Sequence, residues 1–333
     1  MKVLYRLEQL SLPRAVATIG NFDGVHLGHQ QLMRDLVGRA RQIQGTPTVV
    51  TFHPHPLQVL VPNNAPRQIQ TLDQKLAAME KLGIELVVVI PFTREFAQTS
   101  ARDFAENILW EKLRLQEIYA GPNFAFGHRR EGSFNLLKEI GAEKGFFVGR
   151  IRQVQFRGNR VSSTAVRQAL FAGQVSLARR LLGRPFSLSG EIVHGTAVGA
   201  GIRVPTANLR TWNEFVPRNG VYATLLTVEG QHHWGVTNIG VRPTVTSGET
   251  ISKPSIETHV LDFKGDLYGR EVTLDLLLYL RAERRFQNTQ ALVAQIGKDI
   301  ARARRYFRWF DRAAPAEWIG NIADKRFGNY TTN

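Results

Sequence analysis

The stretch AVATIGNFDGVHLGH, residues 15–29, decides how the first half of the chain is read. It opens on a β-rich apolar run and passes through turn formers. Beyond it Leu32, Met33, Leu36, Val37, Ala40 and Ile43 recur at helical spacing, while Arg34, Asp35, Arg39 and Arg41 fall between them. A strand that turns directly into an amphipathic helix is the repeating unit of a doubly wound sheet, and such sheets bind ligands where the strand ends.

The same rhythm continues outward from this unit. β-rich runs recur as TVVTF (48–52), LVVVI (86–90), IYAG (118–121) and FFVGRI (146–151), and helices are predicted after Thr71, closing on Gly83, and after Ser100. The expected fold is therefore α/β with an N-terminal doubly wound parallel sheet. From about residue 186 the texture changes to short strands punctuated by Gly and Pro: SGEIVHG, GVYATLLTV, HWGVTNIG, SIETHVLDF and EVTLDLLLYL. A small antiparallel β-barrel or sandwich fits this pattern, with a C-terminal helix packed through Leu292, Val293, Ile296 and Ile300. The boundary is placed in LLGRPFSLSG (181–190), after two short helices. This gives domains 1–184 and 185–310, with 311–333 as an aperiodic tail.

Composition narrows the chemistry. The 333 residues contain no cysteine, which excludes disulfides, thiolate metal sites and thiol catalysis and makes a reducing compartment the simpler assumption. No run of about 18 apolar residues occurs, and MKVLYRLEQLSLPR lacks the apolar core of a signal peptide, so a cytoplasmic protein without a membrane partner is expected. The 43 Lys+Arg against 28 Asp+Glu give a formal charge of +15, which favours anionic partners: nucleotides, phosphorylated metabolites, nucleic acid or acidic lipid.

Within Gly20-Asn21-Phe22-Asp23-Gly24-Val25-His26-Leu27-Gly28-His29, glycines let the backbone approach phosphate oxygens and the helix start presents free N–H groups. His26 and His29, three residues apart, can both face those phosphates; capping or surface histidines are the plainer alternative. Asn123, after Gly121-Pro122, either orients a ribose or phosphate or forms a turn. Ser162, Ser163 and Thr164 precede a short helix with Arg167 one turn in, which reads as an anion site or as an ordinary cap with a solvated arginine. His55, between prolines, is a candidate ligand or a loop residue.

These residues carry a family resemblance. GNFDGVHLGH resembles the HxGH signature of nucleotidylyltransferases in the GxFDGxHxGH form of bacterial bifunctional riboflavin kinase/FAD synthetases. Three segments follow in that family's order: TFHPHP (51–56), GPNFAFG (121–127) and SSTAVRQAL (162–170). The resemblance implies that the N-terminal domain binds ATP with magnesium and lets the FMN phosphate attack the α-phosphorus, expelling pyrophosphate to give FAD. It makes His26, His29 and Asn123 catalytic, and assigns binding to Gly20, Asn21, Phe22, Asp23, Gly24, Gly28, His55, Ser162, Ser163, Thr164 and Arg167.

In the second half, VPTANL (204–209) is similar to the PTAN motif of riboflavin kinases, and NGVYA (219–223), TNIGVRPT (237–244) and IETHVLDF (256–263) follow in family order. The resemblance implies that Thr206 and Asn208 hold Mg2+ and nucleotide phosphates. It makes Glu257 the base that takes the proton from the riboflavin 5′-hydroxyl as FMN forms. Asp262 and Asp266 read as turn residues, and Arg281 as a residue that pins a helix or reaches ATP. Where the family commonly reads G-R-x-L-G-F-P-T-A-N, this chain has Ala200 for the arginine and Arg203 for a glycine. Arg203 either strains or fills the phosphate loop, or restores the charge that Ala200 lacks. Two rival readings stand beside this one: an FMN adenylyltransferase with a degenerate flavin-binding barrel, and a nucleic-acid-binding protein using Arg302, Arg304, Arg305 and Arg308.

Overall fold

The computed structural model describes residues 1–5, 14–121, 124–151, 154–156, 158–194, 205–246 and 249–313. Its contacts divide the chain into two compact units, the first running to Ser162 and the second beginning at Ser163.

The first unit is built on six parallel strands, β1 (Lys2–Leu4), β2 (Ala15–Ile19), β3 (Thr46–His53), β4 (Leu86–Pro91), β5 (Leu115–Ala120) and β6 (Phe147–Arg150), in the order β1-β4-β3-β2-β5-β6. A short ribbon of β7 (Gln155–Phe156) and β8 (Asn159–Arg160) follows. Helix α1 (Leu27–Gln42) carries the chain from β2 to β3 on one side, while β5 adds on the other. The order therefore reverses between β2 and β5, and the carboxyl end of β2 opens on that crevice.

Both faces of this sheet are covered, which is why its central strands read as continuous apolar runs instead of alternating. On one face Val16, Val49, Val87 and Val89 pack against Leu32, Met33, Leu36, Val37 and Ala40 of α1 and against Leu76 and Met79 of the helix Leu72–Lys81. On the other, Ala17, Val50, Val88 and Ile118 meet Phe104, Ile108, Leu109, Leu137 and Ile140. Each fully buried Val, Leu, Ile, Met or Phe among them stabilises the unit by about 1.5–3 kcal/mol. The helical spacing read for α1 matches its buried face, and Arg39 on its wet side forms hydrogen bonds of 2.9 and 2.5 Å to Glu117 of β5. Thr71 and Ser100 cap their helices as expected.

The helix after Ser100 differs from the expectation. One α-helical turn, Ala101–Asp103, continues as a π-helix over Phe104–Lys112. Its buried residues Phe104, Ile108, Leu109 and Leu113 recur every four to five positions, the period of the wider i→i+5 coil, and Leu113 N–H bonds the Ile108 carbonyl at 3.1 Å. Strand β1 was not expected from the sequence at all. It pairs along β4 over three residues, too short for a periodic signal.

The second unit opens with two helices, Ser163–Phe171 and Val175–Leu182, and then closes six antiparallel strands into a barrel. These are β9 (Phe186–Val193), β10 (Ala207–Thr211), β11 (Gly220–Val228), β12 (Gln231–Thr246), β13 (Glu249–Val260) and β14 (Glu271–Arg281), in the order β10-β13-β12-β11-β14-β9. Closure leaves no unpaired edge and decides between barrel and sandwich. Leu188, Leu226, Leu274 and Leu276 share the inner face by register, which fills so small a barrel with side chains. Within the stretch 181–190, Phe186 to Gly190 belong to β9.

The C-terminal helix (Thr289–Ala313) packs on the barrel along a face that includes Ile300 of the predicted stripe and continues it through Ala303, Phe307 and Phe310. Val293 is 45% exposed, whereas Ala303, Phe307 and Phe310 are buried, with Trp234 stacked on Phe307 at 4.3 Å. Aromatic rings remove more area from water than the aliphatic residues upstream, and they set the contact. Arg281 pins this helix: its guanidinium donates three hydrogen bonds of 2.8–3.1 Å to Asp299, itself buried.

Candidate active sites

In the first unit, the chain leaves β2 at Gly20, whose N–H extends the ladder to Val50 O (3.1 Å). It then takes left-handed conformations at Phe22 (φ 48°) and Val25 (φ 36°), on either side of Gly24 (φ 83°). Non-glycine residues at positive φ persist only when their surroundings hold them there. Here Phe22 is buried, Gln30 Nε2 bonds the Val25 carbonyl at 2.8 Å, and Thr51 Oγ1 reaches Asn21 O at 3.4 Å.

The loop delivers two imidazoles to one place. His26 is the N-cap of α1: its Nδ1 accepts from His29 N–H (3.3 Å), and the two rings stack with centroids 3.6 Å apart. Phe22 meets His29 edge-on at 5.1 Å. His26 is 6% exposed and His29 half-buried, so the pair forms part of the loop's own packing and still borders its surface. Gly28 makes this close approach possible, because a Cβ there would sit 3.2 Å from the His26 ring. The first turn of α1 carries no acidic side chain, leaving its positive end open to an anion. Capping and phosphate-facing roles, posed as alternatives by the sequence, are thus compatible for His26.

Other expected residues have visible partners of their own. The Asp23 carboxylate accepts from Ile69 N–H at 2.9 and 3.1 Å and from Gln70 N–H at 3.4 Å, clasping the segment before the helix Leu72–Lys81 to the loop. Lys75, buried beside it, has its ammonium pushed down by burial against the opposing pull of Asp23. Neither contact left a sequence signal, since the partners are more than 40 positions apart. His55 caps a short helix (Pro56–Leu60), its Nδ1 accepting from Leu57 N–H at 3.2 Å. Ser162 ends the first unit; Ser163 opens a helix that includes exposed Thr164 and half-buried Arg167. Asn123 lies outside the described residues, as do Ala200 and Arg203.

In the second unit the site is set by register. Asn208 of β10 stands opposite Glu257 of β13, which stands opposite Asn238 of β12. Directly paired residues on one face have Cβ atoms about 4.5–5.5 Å apart. Three polar side chains thus form one row across three strands, with Thr206 just before the row. Ser255 Oγ donates to Glu257 Oε1 (3.0 Å), and the imidazole of His259 meets Pro205 O (2.9 Å), tying the approach to Thr206 onto β13. On the opposite face Thr224, Thr237 and Thr258 form a buried hydroxyl chain with spacings of 2.8 and 2.9 Å. Asp262 (φ 58°) and Asp266, which accepts from Tyr268 N–H, are turn residues as expected. Sequence reasoning missed Asn238, whose place in the row follows only from the pairing.

Two of the four helical arginines have structural partners: Arg302 donates to Leu280 O and Arg304 to Asp262. Among the described residues no helix is long and apolar enough to cross a membrane.

Comparisons with known proteins fall on the same two units. A model of FAD synthetase matches residues 8–165, and a model of riboflavin kinase matches residues 182–307. The bifunctional riboflavin kinase/FMN adenylyltransferase of Pseudomonas fluorescens is 41% identical over 87% of this chain and 92% of its own length. The enzyme of the same description from Escherichia coli K12 is 39% identical over 91% and 96%. A crystal structure described as a macrolide-efflux protein from Streptococcus pneumoniae superposes with a TM-score of 0.80 at 27% identity, covering 91% of this chain and 98% of that one.

Proposed function

We propose a division of labour that starts from one fact: the chain belongs to the family of bifunctional riboflavin kinase/FMN adenylyltransferases. It phosphorylates riboflavin to FMN with ATP, and it adenylylates FMN to FAD with a second ATP, releasing pyrophosphate. The residue roles below are our assignment, as is a cytoplasmic location.

Adenylyl transfer belongs to the N-terminal domain, whose limit we keep at residue 184. ATP lies with its phosphates against the first turn of α1, in the crevice at the end of β2. An FMN phosphate oxygen attacks the α-phosphorus, the bond to the bridging oxygen breaks, and pyrophosphate leaves. His26 and His29 take up the negative charge that builds on the transferring group, and Gly20 to Gly24 let the backbone come close to it. Ser162, Ser163, Thr164 and Arg167 are assigned to the nucleotide by the motif they share with the family, as are Asn123 and His55. The single observation that carries this half is the stacked His26–His29 pair on the helix start at the sheet's switch point.

Phosphorylation belongs to residues 185–310. Glu257 accepts the proton of the riboflavin 5′-hydroxyl while that oxygen attacks the γ-phosphorus, and ADP leaves with the bridging oxygen. Thr206 and Asn208 offer a hydroxyl and an amide oxygen, hard donors that suit Mg2+ when the nucleotide phosphates and water complete its shell. That cation would neutralise phosphate charge. The observation that carries this half is the cross-strand pairing of Asn208 with Glu257. Incubation with riboflavin, ATP and magnesium, followed by separation of flavins, is expected to yield FMN and FAD from the wild type. Glu257→Gln is expected to yield FAD only when FMN is supplied, and FMN formation by that variant would remove the assigned base.

A further inference from the structure

The polar row of the barrel does not stop at Asn238. Its Nδ2 donates to Oε1 of Glu283, at 3.4 Å, a residue that lies beyond the end of β14 and outside every motif quoted above. The Glu283 carboxylate rests on the backbone of Gly240, two positions along β12 from Asn238. A Cβ at Gly240 would stand 2.3 Å from Oε1 and 3.1 Å from the carboxyl carbon. Glycine at this position therefore leaves the seat that the carboxylate occupies.

The segment bearing Glu283 is fixed on both sides. Arg281 is bound to Asp299 by three hydrogen bonds, and Arg284 donates to Gln295, which in turn donates to Asp299 Oδ1 at 2.7 Å. The Phe286 ring lies under both guanidinium groups, 5.7 and 4.8 Å from them. Between these anchors Glu283 projects back over β12 although it is itself exposed. Among the described residues, Glu283 meets a neutral amide one strand from Glu257 and not a cation.

We propose that Glu283 is a positioning residue of the kinase site, acting through Asn238. A carboxamide can present either its N–H or its oxygen at nearly the same place. An ionised carboxylate accepts only, so it selects the N–H edge and fixes the plane of the amide. Asn238 then turns one defined edge toward its cross-strand neighbour Glu257 in place of two interchangeable ones. The inference rests on the reading of Glu257 as the base.

The test measures both activities in the full-length chain for Glu283→Ala, Glu283→Gln, Asn238→Ala, the Asn238→Ala/Glu283→Ala double variant and Glu257→Gln. Glu283→Ala is expected to lower kcat for riboflavin phosphorylation about tenfold with KM for riboflavin and ATP within about twofold, the pattern of lost orientation. FMN adenylylation should stay at the wild-type rate. Glu283→Gln should restore only part of the kinase rate, because its Oε1 still accepts but its amide can equally turn a donor and so no longer selects one edge of Asn238, and the double variant should be no slower than Asn238→Ala. Wild-type kcat in Glu283→Ala, a loss confined to KM, equal losses for Ala and Gln, additivity in the double variant, or a joint fall of both activities would each overturn the inference. A Glu257→Gln variant that kept its kinase rate would defeat the base assignment instead. Loss in Glu257→Gln beside a wild-type Glu283→Ala would defeat this proposal alone.

Discussion

The two proposed sites would solve the same problem, holding a triphosphate for attack, on opposite kinds of backbone. In the N-terminal unit the residues proposed to act on the phosphates stand on a turn between a buried strand and a helix, and the turn is held in left-handed conformations at Phe22 and Val25 by packing and by the Gln30 clasp. In the barrel they stand on a ladder whose geometry is regular, and Asn208, Glu257 and Asn238 come together only because three strands pair in one register. A turn concentrates its chemistry within ten consecutive residues. A ladder draws it from positions about 50 apart. The first site therefore depends on local conformation and the second on closure of the whole barrel.

Substitutions at the two sites should separate cleanly if that contrast is right. Glu257→Gln is expected to have the largest effect, a loss of riboflavin phosphorylation on the order of 1,000-fold, as when a general base is removed, with FMN adenylylation intact in the same sample. His29→Ala should produce the mirror image, about 100-fold less adenylyl transfer and unchanged phosphorylation. If either variant lowered both rates alike, the sites would not be independent. Gly28→Ala sharpens the local half of the contrast. Alanine favours the helix by up to about 1 kcal/mol, yet its Cβ would press on the His26 ring. The expected result is an equal or higher unfolding midpoint with adenylyl transfer reduced about tenfold. Wild-type turnover would show that the ring's place is unimportant.

The smallest expected effect concerns acid stability of the first unit. Hydrogen bonds from Arg39 hold the Glu117 carboxyl below the ordinary carboxylate range, and the Tyr119 phenol, raised to about 12 by burial, donates to it at 2.8 Å. A lowered folded-state value means that the pair stabilises fully above the carboxylate's unfolded value and is lost as pH falls through the folded one. Arg39→Gln should therefore melt lower than the wild type near neutrality, with the gap narrowing as pH drops from about 5 toward 3. A gap that stays constant over that window would assign the effect to packing.

The same contrast explains what could be read from the chain. α1 was legible because its apolar residues repeat at 3.6 and its turn chemistry is contiguous, so fold and candidate residues appeared in one window. The Asp23 clasp on Ile69 and Gln70 was not, because its partners are backbone amides 46 and 47 positions away that carry no side-chain signature. Strand β10 was read only as a motif, since five residues with one buried position show no alternation. In the barrel the sequence supplied Glu257 and Asn208 through family likeness and could not supply their adjacency, which is a property of register. The C-terminal helix was found with Ile300 in its contact face, but the aromatic end of that face was not, because Trp234, which stacks on Phe307, lies on another element.

The most direct test of two independent sites is to follow both ends of ATP in one reaction. Riboflavin should be incubated with the wild-type enzyme, magnesium and ATP carrying distinguishable labels on the α- and γ-phosphorus, and the flavins then separated. The account predicts FMN with the γ label alone and FAD with one phosphorus from each position. FAD lacking the γ label, FMN carrying the α label, or riboflavin returned unchanged would contradict it.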